Sequence, residues 1–177
     1  MPIQTRQEQA PDHHAVSDLL AQAFRDEPYS DHTEQFLVER LRKSNAFIPE
    51  LALVAKDGEQ VVGYILLTKL HISNGKQQFE SLALAPVAVL PSHQRQGIGT
   101  MLIEHAHRLA RKIGDTSVLL IGHQDYYPRF GYRRASAYGI SFPFDAPDEN
   151  CMALELVEDG LKNVTGEVLY PKAFFSE

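Results

Sequence analysis

Apolar residues early in the chain recur at helical steps. After Pro11-Asp12, the positions Val16, Leu19, Leu20, Ala23 and Phe24 fall three and four apart, which predicts an amphipathic helix. Residues 3–7 predict a short strand before it. A second helix is expected after Ser30-Asp31, with Phe36, Leu37, Arg40 and Leu41 on one face, ahead of Pro49. The pattern then becomes that of strands. Residues 51–55 and 61–67 are apolar runs on either side of Asp57-Gly58, a strong turn signal, and read as an antiparallel hairpin. Beyond the polar Ser73-Asn74-Gly75-Lys76, residues 79–90 are almost wholly apolar with Pro86 in their middle. Proline removes a ladder donor, so this strand is expected to bulge or part from a neighbour there.

From Gly99 the period is helical again. Ile98, Met101, Leu102, Ala106, Leu109, Ala110 and Ile113 share one face, Glu104, Arg108, Arg111 and Lys112 cover the other, and Gly114 supplies a stop. Val118-Leu119-Leu120-Ile121 is continuous and branched, the pattern of a strand buried on both faces. Strand, helix and buried strand together predict a right-handed crossover with a parallel pair. Later strands are expected near residues 139–142, 152–156 and 167–170. The expected class is α/β (α+β) with a mixed sheet.

At 177 residues, one domain spanning 1–177 is expected, and a hydrophobic fraction of 44% with 23% charged residues excludes disordered and fibrous classes. Seventeen basic against 23 acidic residues give a net charge of −6, which argues against nucleic acid or an anionic membrane as partner. An anionic ligand must then be held locally. Cys151 is the single cysteine, so no intrachain disulfide forms, and no apolar leader or span of about 20 apolar residues is present. The cytoplasm is the expected compartment. His13 and His14 are adjacent, and His105 and His107 two apart, so neither pair shares a helix face and no metal is expected.

The densest chemistry lies at Leu90-Pro91-Ser92-His93-Gln94-Arg95-Gln96-Gly97-Ile98-Gly99-Thr100. A strand ends in a turn, and glycines spaced by one residue open a helix. Free amides and the positive helix terminus suit a phosphate or pyrophosphate. A P-loop would need Lys-Ser/Thr after the second glycine, where Thr100 and Met101 stand; a dinucleotide fingerprint would need a small residue where Leu102 stands.

Gln94, Gly97 and Gly99 resemble the acetyl-CoA pyrophosphate loop of the GNAT family of N-acetyltransferases, with Val87-Ala88-Val89-Leu90-Pro91 similar to the family's fourth strand. Tyr126-Tyr127-Pro128-Arg129-Phe130-Gly131-Tyr132 is similar to the motif that follows its fifth strand. Residues 142–147 and 169–174 resemble a bacterial subgroup of the family. The resemblance implies a mixed, mostly antiparallel sheet of about six to seven strands, a splayed parallel pair after the bulged fourth strand, and helices on both faces. It implies transfer of acetyl from acetyl-CoA, the cosubstrate, to a primary amine by direct attack in a ternary complex. Val87, Ala88 and Val89 would line the pantetheine, with a main-chain N–H at or near Val89 meeting the carbonyl oxygen. Gln94, Arg95, Gln96, Gly97, Ile98, Gly99 and Thr100 would hold the pyrophosphate.

Tyr127 aligns with the family's proton donor to the departing thiolate, and Tyr126 competes for that role. The general base stays open: Ser81, Ala83 and Ala85 occupy the inward strand positions, leaving water, Glu80, Asp26 or Glu27. His93 and His123 could touch the coenzyme. Acidic residues at 26, 27, 31 and 34 and at 145, 148 and 149 would favour a cationic acceptor, a small amine or a peptide amine. Homodimerisation stays open. The rival reading is a catalytically silent acyl-CoA-binding or sensor module of the same fold.

Overall fold

A computed structural model of the chain describes residues 2–175. In chain order the elements are β1 (Gln4–Gln7), α1 (His13–Ala23), α2 (Glu34–Arg42), β2 (Phe47–Asp57), β3 (Gln60–Ser73) and β4 (Gln78–Val89), then α3 (Ile98–Lys112), β5 (Ser117–Ile121), β6 (Arg133–Arg134), β7 (Ile140–Ser141), β8 (Cys151–Glu155) and β9 (Gly166–Leu169). The strands follow the order β1-β2-β3-β4-β5-β8-β6, with β9 paired to β3 and β7 to β9. Most pairings are antiparallel; β4–β5 and the short β7–β9 are parallel. This is the mixed fold the sequence implies, with nine strands among the described residues where six to seven were expected. The surplus includes the two-residue pieces β6 and β7, too short to carry an alternation pattern.

The chain packs as two compact units. The first takes the residues up to Thr68, Ala85–Leu109 and those from Ala173. Its centre is the β2–β3 hairpin, with Leu51 to Ala55 and Ile65 to Leu67 fully buried. A strand buried on both faces reads as one apolar run, which is why β3 lacks alternation. Asp57 pairs with Gln60, so the turn residues are Gly58 and Glu59, one later than expected. Gly58 takes φ 63°, a left-handed value natural for glycine at the first central position. The register of β2 shifts between Phe47 and Ala52, around Pro49.

Helices α1 and α2 pack together, with Val16, Leu19 and Leu20 buried on one and Val38 and Leu41 on the other. Phe36, expected inside, is 54% exposed. Five residues before Leu41, it lies about 140° round the helix from that anchor at about 100° per residue. On α3 the buried stripe is Ile98, Leu102, Ile103, Ala106, His107 and Ala110, which leaves Met101 and Ile113 exposed. The last residue of α2 makes a buried ion pair: Arg42 donates Nε to Glu8 Oε1 at 3.1 Å and Nη2 to Oε2 at 2.6 Å.

The second unit takes Lys69–Leu84 and Ala110–Lys172. Its core is β5, buried from Ser117 to Leu120, between β4 and β8. Leu82 lies opposite Val118 and Ala83 opposite Leu119, and the parallel register ends there, before Pro86. The break expected from that proline is present. Gly114, at φ 100°, closes α3 by donating to the Arg111 carbonyl at 3.1 Å.

Candidate functional site

In the first unit, β4 ends at Val89 and a one-turn 3-10 helix, Pro91–His93, leads into the loop. The Leu90 amide donates to the Val62 carbonyl at 2.9 Å, fixing the end of the strand to β3. His93 Nε2 stands 3.1 Å from Asp57 Oδ2, and its Nδ1 stands 2.8 Å from Ser92 Oγ. That histidine therefore ties the turn to the β2–β3 hairpin. Gln94 reaches back to donate to the Val89 carbonyl at 3.2 Å.

The loop next takes two left-handed steps, Arg95 at φ 64° and Gly97 at φ 80°. Gly97 accepts the first helical bond of α3, from Met101 N–H at 3.0 Å, and so caps the helix. The amides of Ile98, Gly99 and Thr100 then lie in the first turn, where no carbonyl of the same helix can reach them. Residues 94–97 are exposed, and a Cβ on Gly97 would meet no atom within 4 Å. Consecutive free amides, the positive end of a fifteen-residue helix and open space beside a glycine fit a pyrophosphate. Along β4, Val87 and Val89 are half-buried while Ala88 is buried on the opposite face.

Sequence reasoning did not single out Gly63, which seats this helix. A Cβ there would stand 2.9 Å from Leu102 Cδ1, 3.1 Å from Ile98 Cγ2 and 3.2 Å from Ala55 Cβ. The helix bearing the loop lies directly on β3 because this position has no side chain. A glycine inside an otherwise apolar strand is the available signal.

In the second unit, β5 gives way to Gly122, whose amide donates to the Asn150 carbonyl at 2.9 Å. A helical turn at Tyr127–Phe130 follows, closed by Gly131 at φ 101°. The Tyr127 ring is buried and packed edge-on by Tyr126 at 5.1 Å and Tyr132 at 5.8 Å between centroids. Burial, reinforced by Tyr126, holds its phenol well above the ordinary value. Gly122, also not singled out, sets the ring's place: a Cβ there would overlap Tyr127 Cε2 and stand 2.9 Å from Cδ2. Tyr126 has a different setting, half-buried, with the Arg129 guanidinium 4.5 Å over its ring and Arg129 Nε donating to its carbonyl at 2.8 Å. His123 is exposed.

None of the named base candidates is a buried, unpaired carboxylate. Ser81 is buried with its hydroxyl 2.6 Å from that of Ser117. Glu80 is exposed and acts on Asp115, whose carboxyl is raised first by burial and then by Glu80. Asp26 and Glu27 are exposed. The Cys151 thiol is buried and pushed up, first by burial and then by Asp148 and Glu149. Among the described residues no group of three or more His, Cys, Asp and Glu could hold a metal ion, and no helix is long and apolar enough to cross a membrane.

Residues 4–135 match the sequence model of the acetyltransferase (GNAT) domain. The chain belongs to the GNAT family. It is 30% identical over 138 residues, 76% of each chain, to the uncharacterised N-acetyltransferase YjhQ of Escherichia coli K12. Its identity to the N-acetyltransferase YhbS of the same strain is 28% over 160 residues, 90% of each chain. The crystal structure of Escherichia coli YhbS in complex with CoA superposes with a TM-score of 0.87 at 25% identity, over 97% of this chain and 91% of that one. A GNAT family acetyltransferase from Brucella melitensis in complex with acetyl-CoA gives 0.81 at 29% identity, over 98% and 99%. In this acetyltransferase Gln94 and Gly97 lead into α3, Gly99 lies in its first turn, and Tyr127 follows β5.

Proposed function

We propose that this acetyltransferase moves an acetyl group from acetyl-CoA to a primary amine by direct attack in a ternary complex. The observation that carries the reading is the Arg95–Gly97 loop, which leaves consecutive amides free at the start of α3. The ligands of the two similar crystal structures, CoA and acetyl-CoA, support it. Gln94, Arg95, Gln96, Gly97, Ile98, Gly99 and Thr100 bind the pyrophosphate, and Val87, Ala88 and Val89 line the pantetheine arm. The cosubstrate supplies the activated thioester: a C–N bond forms, the C–S bond breaks, the nitrogen gives up a proton and the thiolate takes one.

Two groups of this chain serve that exchange. A main-chain N–H at or near Val89 donates to the carbonyl oxygen as it gains charge. Tyr127, protonated at neutral pH like any phenol and raised further by burial, delivers its proton to the sulfur, with positioning rather than acidity carrying the effect. A buried cysteine with a raised thiol makes a poor nucleophile, which favours direct attack over an acyl-cysteine route. The acceptor is a small-molecule or peptide amine with positive charge.

Thermal shift tests the reading. Acetyl-CoA at 100 times Kd should stabilise the chain by about 2.7 kcal/mol, with ATP and NAD inert. Thiol release is then followed with a panel of amines. An equal shift by ATP would sink the coenzyme assignment, and a coenzyme shift without turnover on any amine would leave a sensor module.

A further inference from the structure

We propose that the free edge of β1 pairs with the same strand of a second copy, joining two sheets about a two-fold axis at Thr5. Strand β1 ends the strand order and, among the described residues, pairs with β2 alone. Its register shows which groups it leaves unused. Glu8 continues that register opposite Ala52 and donates its amide to the Ala52 carbonyl at 2.8 Å. In an antiparallel ladder, opposed residues that exchange main-chain bonds alternate with opposed residues that do not. Gln4 and Arg6 therefore turn N–H and C=O toward β2, while Thr5 and Gln7 turn theirs outward. Arg6 Nη1 donates to the Gln7 carbonyl at 2.9 Å, as an outward carbonyl allows.

A central residue with both groups outward can meet its own copy. Under a two-fold axis at Thr5, each threonine donates its N–H to the other's carbonyl, so one surface supplies both halves of the contact. A foreign strand would have to match this pattern; a second copy does so by symmetry.

Side chains select the register. An axis at Arg6 would set two guanidinium groups directly opposite each other, which is destabilising. With the axis at Thr5, threonine faces threonine and Arg6 faces Gln4. Edge strands are usually guarded by charge, but the Arg6 guanidinium is drawn aside to Asp12, at 2.7 and 3.0 Å. Space is also open beside the strand: Ile3, Gln4, Thr5 and Arg6 line a cavity of about 480 Å³ together with Lys56 and the exposed Met101 of α3. The inference rests on the main-chain pattern of β1 and does not depend on the transfer reaction.

The test is sedimentation of the whole chain from about 1 to 200 µM, where a reversible dimer is expected with Kd in about the micromolar range of a small interface. Thr5→Pro removes an outward N–H and spares the bonds to β2, at a position where an edge strand accepts proline. It should weaken the dimer by about tenfold or more, the net worth of two hydrogen bonds. Thr5→Val loses the contact of Thr5 Oγ1 with His105 Nδ1, 2.8 Å away, but keeps the main chain and should stay dimeric. Thr5→Cys should form an intermolecular disulfide on oxidation, because directly opposed, bonded residues stand about 5.5 Å apart at Cα. Cys151 is buried, so the unaltered chain should not cross-link. Cooperative urea melts show that each variant folds. A chain monomeric at every concentration, a dimer unchanged in a folded Thr5→Pro, or no disulfide in Thr5→Cys would overturn the proposal.

Discussion

Gly122 and Tyr127 compete for the same space: the room a Cβ would need on the glycine is filled by the tyrosine ring. The ring is therefore positioned by a missing side chain five residues earlier.

Tyr127→Phe should keep the packing and the affinity for acetyl-CoA while lowering kcat, by up to the roughly 10²- to 10⁴-fold of general acids. Tyr126→Phe should do much less, because that ring lies under Arg129. Gly122→Ala should lower kcat by displacing the ring and cost about 1–3 kcal/mol of stability. Single-turnover kinetics on a confirmed acceptor decide the matter. Full kcat in Tyr127→Phe, with chemistry rate-limiting, would remove Tyr127 from the mechanism.

Two glycines near the loop should fail in different ways. Gly97→Ala meets no protein atom but keeps a left-handed φ, costing about 1–2 kcal/mol and filling the space where the pyrophosphate is proposed to sit. Gly63→Ala pushes on Leu102 and Ile98, so it should cost about 1–3 kcal/mol through overpacking and displace the start of α3. Urea melts and acetyl-CoA titrations separate the two. Gly97→Ala with unchanged coenzyme affinity would place the ligand elsewhere.

The Glu8–Arg42 pair should show strong non-additivity. Arg42→Leu leaves a carboxylate whose side chain is only 2% exposed with His13 Nε2, 3.6 Å away, as its remaining charged neighbour, and the expected loss is about 3–5 kcal/mol. Replacing both residues with leucine should recover most of it. A double-mutant cycle in denaturant checks this, and additive losses would mean that the pair is not coupled.

Acid should weaken the first unit through Asp12. Its carboxyl is held below the ordinary range, chiefly by hydrogen bonds from Arg6 at 2.7 and 3.0 Å and against the effect of burial, with a further bond from the Gln9 amide. The folded state thus binds fewer protons than the unfolded one near pH 4. The contribution is complete above the unfolded pKa of about 3.9 and is lost as pH falls through the lower folded value. The difference in Tm between the unaltered chain and Arg6→Gln should be widest near neutral pH and close at the acid end. A gap that widens on acidification would contradict this.

Much of the architecture was legible because long elements repeat their period. The β2–β3 hairpin, the apolar β5 and the proline that ends the β4–β5 register all follow from local pattern. The faces of α2 and α3 were read slightly wrongly, since Phe36 and Met101 are as apolar as their buried neighbours and only packing decides which way the stripe points. The motif residues Gln94, Gly97, Gly99 and Tyr127 were visible as sequence. Gly63, Gly122 and the partner of Glu8 were not, because each matters through a side chain that only the folded structure brings against it: Leu102 for the first, the Tyr127 ring for the second, Arg42 for the third.

The tie between His93 and Asp57 bears on the thermodynamics of coenzyme capture. With the turn pinned to the hairpin and Gln94 folded back on the Val89 carbonyl, the start of the loop is anchored by two contacts within the protein. Ordering a flexible backbone costs about 1–2 kcal/mol per residue, and here that loss of freedom belongs to folding. If the coenzyme binds at this loop as proposed, these anchors preorganise its start, and loosening the hairpin turn should weaken binding without touching a contact atom.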